Sequence, residues 1–430
     1  MVIRGLNVIF ESVLRITFFP LLHEQNYFIF RRLPNFSELF DIGEVITSNS
    51  TAVLDFGELL GIPVVNEAVG VIVDSKIILR IFAEIQKHET SMNHHITKVW
   101  ISSEPVFLRK VSLNIFLQVV AVLSLSGCAS LLVNAGIAQK RGPAVMRRDF
   151  VRNSTRWEEL VPGIMPWEDS LKAAGIMKDT FIVREGCRLH AAYAPAQVPS
   201  ANTAIVVHGY SAAPENIMML VRMYRDSLGF NVLAPTLRHH GLSGGDYVQF
   251  GWNDRLDVLA WSAIAHEEFR DTAQVLHGVS MGAATVMMAS GEDTPEYVRG
   301  FVEDCGYTNV RDEFIYAFDH YLHRDSLLVD RVAEICLRRF GLDFNAASAE
   351  RQLARSSKPM LFIHGSGDRL VPPYMMERNY SAKRKGYKEF WIAPGSAHSR
   401  AYPDYPAEYT EKVRAFIFRH VLAREFRPYE

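Results

Sequence analysis

The stretch Gln274-Val275-Leu276-His277-Gly278-Val279-Ser280-Met281-Gly282-Ala283-Ala284-Thr285-Val286-Met287-Met288 decides how the rest of the chain is read. A short apolar run ends at Gly278, and a longer run of helix-compatible residues begins after Gly282. That is a strand, a tight turn and a helix, with one serine at the apex of the turn. A serine in this setting can act as a nucleophile, because the sharp turn pushes its hydroxyl out at the end of a sheet. The turn brings the residues two before and two after the serine against neighbouring backbone. Both must be small, and Gly278 and Gly282 meet that demand. Ser280 is the candidate nucleophile, and an ordinary glycine-rich turn is the alternative.

A serine hydroxyl is weak at neutral pH and needs a base, with a carboxylate to orient the base. In strand–turn–helix sites of this kind the order along the chain is serine, acid, histidine. Downstream, His364-Gly365-Ser366-Gly367-Asp368-Arg369-Leu370-Val371-Pro372 places Asp368 in a turn after an apolar strand. Gly395-Ser396-Ala397-His398-Ser399 then places His398 in a loop after another strand. Asp368 is the expected acid and His398 the expected base. Glu303 and Asp304, at the end of a further strand, compete for the acid role. The negative charge formed on attack requires preorganised N–H donors. The backbone N–H of Met281, at the helix start, is one candidate. Tyr210, after the strand and turn Ala204-Ile205-Val206-Val207-His208-Gly209, is the other. His208 itself reads as structural.

The paired histidines His239-His240 sit in a glycine-rich loop without further ligands at metal-binding spacing, so loop structure near the site mouth is expected. Residues 241–245 lack the Lys-Ser/Thr ending of a phosphate-binding loop. Cys305 reads as a small core residue. No metal and no organic cofactor is expected.

Outward from this centre, short β-branched runs alternate with helical patterns from residue 181 onward. Strands are expected at 180–183, 189–194, 204–207, 231–233, 273–277, 298–302, 360–363 and 390–392. Helices are expected at 216–228, 255–268, 283–290 and 405–421. Alternation of this kind means a mostly parallel sheet with helices on both faces, an α/β fold. Between residues 308 and 357 the strands stop and helical, Arg-, Phe- and Tyr-rich sequence takes over, which reads as a cap inserted over one end of the sheet. The domain boundaries that follow are 140–179 for a linker and lead-in and 180–425 for the catalytic domain.

Residues from about Phe181 to Val421 resemble an α/β-hydrolase, with nucleophile, acid, base and oxyanion loop in the family's order. Gly251-Trp252-Asn253-Asp254-Arg255-Leu256-Asp257 and Glu303-Asp304-Cys305-Gly306-Tyr307-Thr308 add a likeness to bacterial membrane-anchored or exported serine hydrolases similar to serine aminopeptidases and cinnamoyl-type esterases. The resemblance implies a serine hydrolase and says little about substrate, because fold does not determine function. Cleavage of small or medium carboxylic esters is the expectation. An aminopeptidase-like amidase or peptidase is the alternative, and a non-catalytic binding protein on the same fold a further one.

Composition excludes other classes. In 430 residues, 48% are hydrophobic and 22% charged, which suits a globular chain. Lys plus Arg number 46 against 48 Asp plus Glu, a net charge of −2 that offers no footprint for nucleic acid. The cysteines Cys128, Cys187, Cys305 and Cys336 are too few for a disulfide scaffold. Residues 111–139 carry no Lys, Arg, Asp, Glu or His, and about 20 apolar residues suffice to cross a bilayer. The run from Val111 to Ile137 is therefore expected to bind a membrane, with the catalytic domain outside the cytoplasm. Leu125-Ser126-Gly127-Cys128 allows a lipoprotein signal with attachment through Cys128 as the alternative. Residues 1–110 show no chemistry-bearing motif, and are read either as in-frame sequence upstream of the true start or as a small accessory domain.

Overall fold

The computed structural model describes residues 127–138, 158–322 and 326–423. From Ala129 onward they belong to one compact unit. The expectations placed on residues 1–110 and on the first part of the apolar run, 111–126, lie outside the described residues. So does most of the lead-in, 139–157.

A helix, α1 (Ile164–Ala173), precedes the hairpin of β1 (Lys178–Arg184) and β2 (Cys187–Ala194). The hairpin turn uses Glu185 and Gly186, at φ of 50° and 72°. Two consecutive residues at positive φ match the right-handed twist of the strands they join. Then follow β3 (Asn202–Val207), α2 (Met218–Arg222), β4 (Asn231–Thr236), α3 (Asp254–Phe269), β5 (Ala273–Val279) and α4 (Met281–Ala289). After β6 (Val298–Asp304) come α5 (Val310–Leu322), α6 (Ser326–Phe340) and α7 (Ala349–Leu353). The chain ends with β7 (Met360–Gly365), α8 (Pro373–Ala382), β8 (Lys388–Ala393), α9 (Ala401–Asp404) and α10 (Pro406–Phe416).

The eight strands form one sheet in the order β1-β2-β4-β3-β5-β6-β7-β8. β1–β2 and β2–β4 pair antiparallel, and every pair from β4–β3 to β7–β8 is parallel. All of β5 and all of α4 are buried. A strand covered on both faces needs no polar alternation, and a helix enclosed on all sides needs no polar stripe. These two elements hold the Ser280 turn. β3 lies between β4 and β5, so the chain leaves it to one side and returns on the other. The loops after β3 and β5 therefore part at the C-terminal edge of the sheet, the place where such folds bind ligands.

The expected strands and the cap insertion are present, with several differences. The helix expected at 216–228 divides into a 3-10 turn (Pro214–Ile217), α2, and a π-helical turn (Met223–Ser227). Pro214 and the Asn216 side chain, which accepts the Ala213 N–H at 2.9 Å, shape its start. α4 starts at Met281, directly after the serine, rather than at residue 283. α8 was not anticipated, and α1 lies in sequence read as linker.

Of the apolar run expected to bind a membrane, only the end is described. Its described part, residues 127–138, is helical and ends in a π-helical turn, Asn134–Ala138. Ala129, Val133 and Ile137, spaced by four residues, are buried. The last part of the expected anchor thus ends against the catalytic domain, where the Gly136 and Ile137 carbonyls accept hydrogen bonds from Tyr210 and Val248. No helix among the described residues is long and apolar enough to cross a membrane.

Candidate active site

Ser280 sits between β5 and α4 at φ 58°, ψ −120°. A side chain in this region costs about 1–2 kcal/mol and persists only where the surroundings impose it. Here they do. The Ser280 N–H donates to the Asp304 carbonyl of β6 at 2.8 Å, and the Ser280 carbonyl accepts the Ala284 N–H of α4 at 3.0 Å. A Cβ on Gly278 would lie 2.1 Å from the Gly282 carbonyl oxygen. The small residues at these two positions are what let strand and helix close on the serine.

The turn after β7 carries Asp368, and the loop after β8 carries His398. His398 Nε2 lies 2.8 Å from Ser280 Oγ, and His398 Nδ1 lies 2.8 Å from Asp368 Oδ2. A carboxylate can only accept, so Nδ1 carries the proton and Nε2 offers its lone pair to the serine hydroxyl. The structure brings together the three residues expected to act as nucleophile, base and acid. It separates the competing acids from the histidine. Asp304 Oδ2 accepts the Tyr409 hydroxyl at 2.9 Å, and Glu303 Oε2 accepts the Gly306 N–H at 3.0 Å. Both are fully buried, and burial raises Asp304 to about 6 and Glu303 to about 8.

Asp368 is held on all sides. Its Oδ1 accepts the N–H groups of Leu370 and Val371 at 2.9 and 3.0 Å. His364 Nε2 donates to the Val371 carbonyl at 2.9 Å and approaches Asp368 Oδ2 at 3.4 Å. Burial opposes ionisation of Asp368, but hydrogen bonds from His364 and His398 outweigh it and hold the carboxyl well below the usual carboxylate range. His364 stands in the quoted acid motif but received no role from the sequence. Its position four residues before the aspartate, at the end of a strand, was the available signal.

The loop after β3 lies directly on the serine. A Cβ on Gly209 would come within 3.1 Å of Ser280 Cβ and 3.5 Å of its Oγ. That places Tyr210, the next residue, at the edge of the site, opposite Met281 at the start of α4. The first N–H groups of a helix have no partner within it, and the helix dipole adds to their pull on an anion. The loop is braced from behind. His208 Nδ1 donates to the Gly209 carbonyl at 2.8 Å, and its Nε2 accepts the Leu237 N–H at 3.0 Å. Burial and the neighbouring His240 push His208 down to about 3, so it stays neutral. His240 donates from Nδ1 to the Arg238 carbonyl and accepts the Ser211 N–H on Nε2 at 3.1 Å. Both histidines support the loop, as read from the sequence.

Cys305, Asp368 and His398 bring one potential metal-ligand atom each within 4.8 Å of one another. Burial first, then the nearby carboxylates, raises the Cys305 thiol well above its ordinary value. Asp368 and His398 already engage each other. The donor set as it stands suits proton transfer better than metal binding, which needs a thiolate and a deprotonated nitrogen.

Glu303 gives a stability test. The folded protein keeps a proton on its carboxyl up to about pH 8, whereas the ordinary value is 4.5. Between those values the native state binds more protons than the unfolded chain, so this group's contribution falls as pH rises and is lost above about 8. Glu303→Gln is expected to match the wild type near pH 5, to exceed it in melting temperature increasingly up to about pH 8, and to hold that difference to pH 9. Parallel melting curves for the two proteins across that range would contradict the assignment.

A mostly parallel sheet of this order, with a serine on the strand–helix turn and an acid–histidine pair on the loops after β7 and β8, defines the α/β-hydrolase class. Residues 204–412 match the model described as the alpha/beta hydrolase family, and this region is assigned to that superfamily. Among curated proteins it is 27% identical over 226 residues to the uncharacterized protein YqkD of Bacillus subtilis, covering 52% of this chain and 73% of that one. It is 24% identical over 246 residues to the uncharacterized protein YfhR of Escherichia coli K12, covering 55% and 78%. Among solved structures, the esterase Pf2001 of Pyrococcus furiosus aligns with a TM-score of 0.48 at 21% identity, covering 58% of this chain and 95% of that chain. A puromycin-hydrolyzing peptidase of Mycobacterium tuberculosis aligns with a TM-score of 0.47 at 20% identity, covering 59% and 40%.

Proposed function

We propose that the protein is a serine hydrolase that cleaves carboxylic esters through an acyl-enzyme. The reading rests on one observation above all: the hydrogen-bonded chain Ser280 Oγ, His398, Asp368, with 2.8 Å at each link. Ser280 Oγ attacks the carbonyl carbon while His398 Nε2 takes its proton, and His398 then gives that proton to the departing alcohol. Asp368 keeps the imidazole in the tautomer this requires and stabilises the imidazolium. The N–H groups of Met281 and Tyr210 receive the charge on the tetrahedral oxygen. Water enters by the same route and frees the acid and Ser280. No step calls for a cofactor.

The surroundings of the oxyanion loop favour esters over peptides. The Tyr210 ring stacks on Phe250 at 6.0 Å, Phe250 meets Phe314 of the cap edge-on at 5.2 Å, and Phe314 meets Phe344 at 4.8 Å. Phe250 and Phe344 are buried and back the accessible rings of Tyr210 and Phe314, and such accessible rings suit a hydrocarbon chain, whereas a peptide backbone would bring polar groups that need partners. The cap helices α5 and α6 then shape the acyl pocket. Nitrophenyl esters of rising chain length, assayed beside aminoacyl nitroanilides, test this. Turnover of the esters with little of the anilides is expected, and the reverse preference would overturn the ester assignment. Membrane attachment through the apolar run Val111 to Ile137 is a separate proposal resting on composition. Release of the full chain from membranes by alkaline carbonate would refute it.

A further inference from the structure

The helical segment before the domain ends beside the oxyanion loop. A helix leaves its last carbonyls without internal partners, and here two of them find donors on the catalytic domain. The Gly136 carbonyl accepts the Tyr210 hydroxyl at 2.5 Å. The Ile137 carbonyl accepts the Val248 N–H at 2.9 Å. Asn134 Oδ1 accepts from Arg339 of α6 at 2.6 Å. One helical turn, Asn134–Ala138, is thus tied to the loop after β3, to the loop after β4 and to the cap. Ala129, Val133 and Ile137 of the same helical segment are buried. All of it lies outside residues 204–412, which match the hydrolase family model.

We propose that Asn134–Ala138 is a positioning element of the active site, whose Gly136 carbonyl holds Tyr210 so that the Tyr210 N–H stays directed at the oxyanion on the Ser280 adduct. This rests on the serine hydrolase reading above. The geometry gives the tie its leverage. Tyr210 is 44% exposed, so the protein interior does not clamp its ring on every side. Its ring has two flanking supports, Phe250 at 6.0 Å and His240 at 6.1 Å, and the hydroxyl bond at the far end fixes the remaining swing. The backbone of the same residue abuts Gly209, which lies against Ser280. A loop freed at its tip would keep binding substrate but would present a less ordered N–H to the transition state. An interaction made only in the transition state changes kcat and leaves KM in place.

The test uses the full chain with Tyr210→Phe, which keeps the ring and removes the donor, Asn134→Ala, which cuts the link to the cap, and Ile137→Asp, which undocks the segment. Active sites are first counted by complete labelling with a fluorophosphonate, so that misfolded protein does not enter the rate. Failure of the wild type to label at all would remove the hydrolase reading itself. With labelling intact, Tyr210→Phe is expected to lower kcat per labelled site by about tenfold with KM nearly unchanged, a fraction of the loss expected on deleting an oxyanion donor outright. Asn134→Ala is expected to lower it less, by about threefold. In the Ile137→Asp background, Tyr210→Phe should have no further effect, because the bond is already broken. Unchanged kcat in Tyr210→Phe, a change confined to KM, or an equal loss in docked and undocked backgrounds would each overturn the proposal. The first two outcomes need only Tyr210→Phe, so they remain decisive should Ile137→Asp fail to fold.

Discussion

Replacing Ser280 by alanine is expected to abolish fluorophosphonate labelling and to lower kcat on a nitrophenyl ester by on the order of 10⁶. His398→Ala should cost nearly as much, and the double variant should be no worse than either single one. The three groups act as one device: without the base the hydroxyl keeps its proton, and without the hydroxyl the base has nothing to activate. Asp368→Asn is the informative third case. An amide in that place would turn an N–H toward His398 or force the imidazole to expose the wrong nitrogen to the serine, for a loss of about 10⁴. Two features make the contrast clean. Asp368 Oδ1 is held by two backbone N–H groups, so the side chain has little room to turn. His364 approaches the same Oδ2 that faces His398, so an amide nitrogen at that position would meet a second donor. Each variant is measured by steady-state rates on the purified full chain. A Ser280→Ala protein that stays within about tenfold of wild type would move the chemistry elsewhere.

The parts of this site that were legible in the sequence are those fixed by local demands. Ser280 was recognisable because a strand-to-helix turn leaves no room for side chains at residues 278 and 282. Asp368 and His398 were recognisable because each stands in a turn just past an apolar run. What could not be read depends on partners far along the chain. His364 is one of several histidines ending apolar runs, and only its approach to Asp368 Oδ2 at 3.4 Å sets it apart. The bond that Asp304 Oδ2 makes instead comes from Tyr409, more than a hundred residues further along the chain. Hydropathy could not divide the apolar run before the domain, because a helix face made for a protein surface and one made for lipid use the same residues. Contacts far along the chain decide the described end of the run, where the Gly136 and Ile137 carbonyls meet Tyr210 and Val248. Cys305, which reads from sequence only as a small core residue, lies at φ 55° with its thiol 3.5 Å from Ser399 Oγ, next to the histidine.

The second large effect is expected from adding a single methyl group. In Gly278→Ala the new Cβ would lie 2.1 Å from the Gly282 carbonyl oxygen, 2.2 Å from its carbon and 2.5 Å from the Ala283 nitrogen. In Gly282→Ala it would lie 2.2 Å from the Val207 carbonyl oxygen and 2.6 Å from that of His208. Every one of these atoms is backbone, so no side chain can turn aside. Relief requires β5 and α4 to move apart in the first case and α4 to move off β3 in the second. Both elements are buried, and a packed interior resists such shifts. A loss of about 4 kcal/mol or more is expected for each, the size that marks an exceptional substitution. The comparison that isolates the cause is Gly395→Ala. Gly395, unlike Gly278 and Gly282, has positive φ, 70°, but nothing lies within 4 Å of the place its methyl group would take. Only the conformational penalty of about 1–2 kcal/mol should remain there. Urea unfolding of the three variants should therefore separate into two large losses and one small one. Any Gly278→Ala or Gly282→Ala protein that does fold should label slowly, because a shift of about 1 Å in a reacting atom costs about 10² in rate. A Gly278→Ala protein as stable and as reactive as Gly395→Ala would mean that the turn does not hold Ser280 by contact between strand and helix.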